Sequence, residues 1–391
     1  MTLYNRVKLA NLLVLEDVKA WYRRGLVPAD QVAAIVNSRQ PAYKRSHVLY
    51  RIGVFLLTTI ILYSSSGILV LILEPLIDDE YKLFLLAGSC IVFGILYHFI
   101  RHKDHFKSGV DDALLYNGLF LFITAFQLMF NHLDEDFLLF LVISSLPFIL
   151  LAAVLFIDRL LSVAAFAGFI CLVFLLALKA GDAGKMLLPF LMMAASVAVY
   201  FVATSIRKIE NSYFWSGCLD HVILCSLAVF YLSGNYYVVR EASVVLMNAE
   251  IPAGGDIPFA IFFYAFTIIV PLVYIYLGLR KKLYGSLNLG LLFFAASILT
   301  IRHYHHMMPF ETALLLGGMF LLSAGWWVMH YLRTPKYGIT YEEQEDLGET
   351  LGLSAEALVI AQSFGPGQVK PQGSTEFGGG EFGGGGAGSK Y

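Results

Sequence analysis

The chain has 391 residues, of which 58% are hydrophobic, 15% aromatic and only 14% charged. A soluble globule of this length needs more polar surface, so soluble enzymes and soluble binding modules are excluded and a polytopic membrane protein is implied. The formal net charge of -2, with no clustered basic stripe, argues against a nucleic-acid partner.

Residues 1–47 read as a cytoplasmic helical arm. Val7, Ala10, Val14, Val18 and Trp21 recur at helical spacing, and Gly25 is placed to stop that helix. A second short helix is predicted to start near Ala29, with Gln31 in the N3 position of a capping box whose cap position holds Pro28 instead of Ser or Thr. So short a segment cannot bury a core of its own. Its apolar stripe should dock on the membrane face or on another part of the chain.

The stretch from Gln40 to Leu73 sets the topology. Lys44, Arg45 and Arg51 form a basic collar ahead of the apolar run Ile52 to Tyr63, which resumes after Ser64, Ser65, Ser66 and Gly67. About 20 apolar residues cross a bilayer core, and the collar should stay in the cytoplasm. The polar leader and the lack of a small-residue cleavage site after Leu73 predict a retained anchor, not a signal peptide.

Ten apolar runs are present, over 48–73, 83–100, 113–130, 137–157, 160–178, 186–205, 216–232, 258–279, 287–301 and 309–331. The seventh and ninth are the shortest. Alternating from an inside N-terminus, they leave 22 Lys and Arg inside and 5 outside, a strong positive-inside bias. Omitting a span before the eighth would place Arg280, Lys281 and Lys282 outside. The reading is an all-α integral membrane protein with a ten-span domain over 48–331 and both termini cytoplasmic. Trp215, Trp326 and Trp327 adjoin inner basic segments, as interfacial anchors do. Cys90, Cys171, Cys218 and Cys225 lie in or beside apolar runs, so no disulfide framework is expected.

Residues 332–363 form an acidic segment with a short helix, and 364–391 a Gly/Phe-rich tail expected to be disordered. The arm holds eight Lys or Arg against three acids, whereas 341–363 holds six acids and no base. Arm and tail are therefore expected to associate, or the arm to meet anionic lipid, and either segment can carry a protein partner.

Gly25, Leu26, Val27, Asp30 and Gln31, with a short helix leading into the first span, resemble bacterial membrane proteins of the domain-of-unknown-function 2157 family. Gln127, His132, Asp134 and the Leu146-Pro147 pair extend the resemblance, which covers residues 20–157. Pro28-Ala29 stands where the family has Ser-Pro at the helix start. The resemblance implies a bacterial inner (plasma) membrane location and carries no activity.

No Asp, Glu, Lys or Arg lies near the middle of a run, which argues against a proton- or ion-coupled transporter. No phosphate loop with a Lys follows a strand, so ATP-driven work is not expected. His98, His102 and His105 would share a helical face, but Arg101, Lys103 and Lys107 among them would repel a metal cation. The outer face carries 12 acids and 5 bases, and His303, His305, His306, Glu311, His132 and Asp136 are its candidate ligands for a divalent metal. Excluding Lys and Arg from that side gives the same acidity without a site.

Pro147 and Pro271 each free a carbonyl four residues earlier, of Ile143 and Thr267. With Gln127, Ser144, Ser145 and Thr267 they outline a candidate polar path, although kinks of this kind are widely tolerated in membrane helices. Asp220 and His221 are the candidate acid/base pair of an interfacial enzyme, but neighbours on a helix point about 100° apart and make a poor dyad. Three functions remain open: a non-enzymatic sensing or assembly component, which the sequence favours; an uncoupled conduit or carrier for a small molecule or lipid; and an interfacial enzyme.

Overall fold

The computed structural model describes residues 2–23, 25–38, 43, 48–77, 81–130, 136–247 and 255–305, with scattered positions between 312 and 330. The tenth apolar run as a span, the acidic segment and tail, His132, His306, Glu311 and the side chains of His303 and His305 lie outside the described residues.

The described chain is helical, without a β-strand. Its helices are α1 (Arg6–Arg23), α2 (Ala29–Ser38), α3 (Val48–Ile77), α4 (Tyr81–His102), α5 (Val110–Phe130), α6 (Phe137–Phe156), α7 (Arg159–Lys179), α8 (Gly181–Arg207), a 3-10 turn (Glu210–Trp215), α9 (Ser216–Gly234), α10 (Tyr236–Met247), α11 (Ala260–Lys281) and α12 (Tyr284–His305). Nine segments among the described residues are long and apolar enough to cross a bilayer, and they coincide with the first nine apolar runs. The two short runs prove long enough. The 3-10 turn extends the seventh to Ser212–Gly234, and the ninth occupies Tyr284–Arg302.

Backbone chemistry explains several ends. Helix α1 stops where Gly25 takes φ +68°. The Gly25 N–H then bonds to the Tyr22 carbonyl and the Leu26 N–H to that of Trp21, a Schellman closure that only a left-handed residue permits cheaply. Asp158 caps α7 by accepting from the Leu161 N–H at 2.8 Å.

Consecutive spans pack as antiparallel hairpins, α4 with α5, α6 with α7, α8 with α9 and α11 with α12, and α7 also packs on α8 and α9. Glycine sets the closest approach. A Cβ on Gly278 would stand 2.7 Å from the Leu287 nitrogen, and one on Gly290 2.8 Å from that of Ile275, so α11 and α12 meet backbone to backbone. Helix α3 differs, packing chiefly on α5 with none of its apolar window buried inside the chain.

The Pro271 kink has its compensation here. The Thr267 carbonyl that the proline frees accepts from Ser297 Oγ of α12 at 2.6 Å, so the polar group is satisfied inside the bundle. Helix α10 falls between the seventh and eighth apolar runs, where no span is predicted. It begins after Asn235, whose Oδ1 accepts from the Tyr237 and Val238 N–H groups at 3.0 and 3.4 Å.

Candidate functional site

The densest polar cluster lies where α1 meets the ends of α3, α5, α6 and α7. Its frame is the 103–109 loop between α4 and α5, with Asp104, Lys107 and Gly109 all at positive φ. At Gly109 (φ +99°) any side chain would run into the Arg51 carbonyl, so loop and α3 backbone touch directly. Asp111 ties the loop down, accepting from the Lys107 N–H at 2.7 Å and from the Ser108 N–H and hydroxyl at 2.8 Å.

Arg51 donates from Nε and Nη2 to the two oxygens of Asp112 at 2.5 and 2.7 Å. This forked, charge-assisted geometry is the strong form of an ion pair. The Asp112 side chain is only 8% exposed. Nearby, the Tyr116 hydroxyl donates to Asp158 at 2.9 Å, which joins α5 to the cap of α7.

The arm seats on this frame through an aromatic triad. Tyr4 packs edge-on against Tyr43 and Phe106, with ring centroids 5.5 and 4.9 Å away. Tyr43 Oη accepts from the Asn5 N–H at 2.7 Å, and the Leu3 N–H reaches the Leu155 carbonyl at 3.2 Å. Lys8 Nζ bonds both oxygens of Asp104 at 2.7 Å, leaving the pair about one-third exposed. Burial pushes the Tyr4 phenol well above its ordinary value of 10.0, with Asp111 and Asp112 adding to the shift. Burial likewise raises Tyr43, against the lowering effect of the Asn5 N–H.

A second cluster occupies the opposite end of the bundle. Tyr236 stacks on Tyr264 at 3.8 Å, and Tyr304 stands edge-on to Tyr236 at 5.1 Å. The Arg240 guanidinium lies 4.7 Å from the Tyr304 ring centre and donates to Tyr236 Oη at 2.7 Å. Tyr236 in turn donates to Asp256, and Tyr304 to Glu241. These contacts fasten α10 to α11 and α12.

The sequence candidates fall into separate places. Gln127 Nε2 donates to Ser144 Oγ at 2.6 Å, while Gln127 Oε1 is buried with no hydrogen-bond partner. Ser145 returns its hydroxyl to the Leu141 carbonyl, in the turn before Pro147. Thr267, one turn before Pro271, accepts from the Tyr236 N–H at 2.9 Å. Among the described residues no hydrogen bond links the Gln127 group to the Thr267 group.

Asp220 pairs with Arg207 at 2.7 Å, whereas His221 Nδ1 lies 2.6 Å from the Gly217 carbonyl; the neighbours engage different partners. Asp136 pairs with Lys179 at 2.5 Å. His98 and His102 have ring centroids 4.8 Å apart, and His105 turns to Ser108. Among the described residues no group of three or more His, Cys, Asp or Glu is arranged to hold a metal ion.

Sequence reasoning missed both clusters because each joins residues far apart in the chain. Only local signals were available. Gly109 ahead of the Asp111-Asp112 pair marked a tied turn, and Asn235 marked a helix start.

Nine helices among the described residues, each long and apolar enough to cross a bilayer, mark a polytopic α-helical membrane protein. Compared with protein-family models, curated proteins and solved structures, the chain finds no match. The functional reading therefore rests on its own geometry.

Proposed function

We propose that the chain is a non-enzymatic sensing or assembly component of a bacterial inner membrane, with ten spans and both ends cytoplasmic. The observation that carries this reading is the arm, which is fastened by a buried Tyr4–Tyr43–Phe106 triad inside and by the partly exposed Lys8–Asp104 pair at the rim. The rim pair holds weakly, since such exposed pairs contribute only about 0.2 to 1 kcal/mol and weaken with salt. A binding partner or a lipid headgroup can compete for it while the triad still holds the arm in register.

The acids at the arm end support a structural role over catalysis. Asp111, Asp112 and Asp158 are engaged by loop amides, by Arg51 and by Tyr116 with the α7 cap. Such fully used carboxylates position a loop and offer no idle base to a substrate. The resemblance of residues 20–157 to the domain-of-unknown-function 2157 family fits this reading without adding an activity to it.

The test is an arm that can be locked. With the native cysteines replaced, Lys8→Cys and Asp104→Cys are cross-linked in membranes, and the proteins that co-purify with locked and unlocked chains are compared quantitatively. An assembly component changes its partner set when the arm is locked or when residues 1–47 are deleted. Identical partner sets in all three forms would retire the reading.

A further inference from the structure

Between α6, α7, α8 and α9 lies a cavity of about 560 Å³. The space exists because three facing positions are small: Ala153, Ala165 and Ala203 line it and are themselves buried. Its end wall is Trp215. The Trp215 indole N–H donates to the Val154 carbonyl at 3.0 Å, in the last turn of α6, where carbonyls lose their helical partners. The indole is therefore pinned across the end of the cavity.

The lining decides what can enter. Its hydroxyls are already spent on backbone carbonyls, Ser162 on Asp158 at 2.7 Å and Ser212 on Ile209 at 2.7 Å, as is the indole N–H. A polar ligand would lose its hydration and find no donor in exchange, whereas a hydrocarbon loses nothing. Along α6 the lining runs from Leu146 to Val154, which at 1.5 Å per residue is roughly 12 Å. One leaflet offers about half of a ~30 Å hydrocarbon core, so the cavity accommodates most of the depth of one acyl chain.

Charge at the Trp215 end indicates the headgroup. Arg207 closes α8 and Lys208 follows as its C-cap residue. Arg207 is 47% exposed while paired with Asp220, and its five-donor fork leaves N–H groups beyond that single contact. Lys208 is exposed beside it. Arg207, only partly engaged by Asp220, and Lys208 flank Ile206 and Ile209 of an apolar slot between membrane-spanning helices, an arrangement that matches a phosphate joined to an acyl chain.

We propose that this cavity holds one acyl chain of an anionic membrane glycerophospholipid, with its phosphate on Arg207 and Lys208. The site is independent of the assembly reading, since neither the arm nor a protein partner is part of it.

The full chain carrying Trp21→Phe, Trp326→Phe and Trp327→Phe leaves Trp215 as the single indole. In mild detergent it is titrated with phosphatidylglycerol brominated on one acyl chain. Emission from Trp215 is expected to fall saturably at about one lipid per chain. Val199→Phe with Val222→Phe, which fills the slot, should abolish the saturable phase, and Arg207→Gln with Lys208→Gln should weaken it at least tenfold for phosphatidylglycerol relative to brominated phosphatidylcholine.

Quenching that rises linearly with lipid and ignores the filling variants would mean a general annular surface and overturn the site. Saturable quenching that is indifferent to headgroup and to the Gln variants would overturn the phosphate assignment. If the filled variant does not fold, native mass spectrometry of the unmodified chain decides: one retained phospholipid mass after delipidation supports the site, and none overturns it.

Discussion

Asp112 shows how much one side chain carries at the arm end. It takes two hydrogen bonds from Arg51 and a third from the Gly109 N–H at 3.2 Å, and its replacement strands a guanidinium that is itself only 29% exposed. Removing one partner of a buried pair costs about 3 to 5 kcal/mol. Asp112→Ala is expected at the lower end of that range, measured by equilibrium unfolding in mixed micelles. A loss under about 1 kcal/mol would show that the pair is solvated in the folded protein.

Tyr4 supplies a prediction in pH. Its phenol is held well above the ordinary 10.0 in the folded arm, chiefly by burial, so the folded state keeps its proton where a released arm gives it up. Arm docking is therefore unaffected below pH 10 and weakens as pH climbs from 10 toward the raised value. Protease cleavage near Trp21 and Arg23 should be steady up to pH 10 and accelerate as pH rises above it. In Tyr4→Phe that acceleration should shrink to the share contributed by Tyr43, whose phenol is also raised. An unchanged pH response would remove Tyr4 as the group responsible.

Among the elements, the spans were legible in the sequence because bilayer thickness dictates their length, and each of the first nine apolar runs becomes a helix. Arm helix α1 and its stop at Gly25 were legible from local signals, but its docking face was not: Val7 and Trp21 of the expected stripe are exposed, and Leu9 and Leu12 are buried together with Val18. What could not be read was the partner of a polar group. Pro271 announced a freed Thr267 carbonyl, but nothing local says that Ser297, thirty positions on, returns to fill it. Arg51 was legible only as part of the basic collar, and only the fold brings it to Asp112, 61 positions away. Helix α10 was lost because it is short and polar enough to pass for loop, although its Asn235 cap was in plain view.

The α11–α12 pair tests how much such a returned bond contributes. Ser297 Oγ contacts the Thr267 and Phe293 carbonyls and the Tyr231 hydroxyl, so Ser297→Ala leaves the Thr267 carbonyl, freed by Pro271, bare within an apolar bundle. Hydrogen bonds between membrane helices average about 0.6 kcal/mol and reach about 1.7. The upper figure is expected here, because Pro271 has no N–H to donate to that oxygen and Ser297 supplies a donor at 2.6 Å. Gln127→Met should instead cost little, since it removes an acceptor that is already orphaned together with the amide's bond to Ser144 and a long one to the Leu141 carbonyl.

At the scale of the whole molecule, charge and geometry bear on orientation together. The arm clasps the bundle at the end that holds Arg51, Arg159, Arg207 and Lys208, and Lys282 caps α11 at that same end of the span order. The opposite end of the span order holds five Lys and Arg, namely Lys82, Lys179, Lys185, Arg240 and Arg302, of which Lys179 and Arg240 pair with Asp136 and Asp256. The excess of Lys and Arg stays on the cytoplasmic side whether or not acids pair with it, so the arm end should lie in the cytoplasm. In a cysteine-free chain expressed in intact cells, Lys185→Cys should react with a membrane-impermeant maleimide and Lys208→Cys only after permeabilisation. Nine spans would leave the residues beyond α12 on the side of Lys185, whereas a tenth crossing by 309–331 returns the chain. Thr334→Cys should therefore label together with Lys208→Cys. Labelling with Lys185→Cys would reduce the count to nine and separate the acidic segment from the basic arm by the full thickness of the membrane.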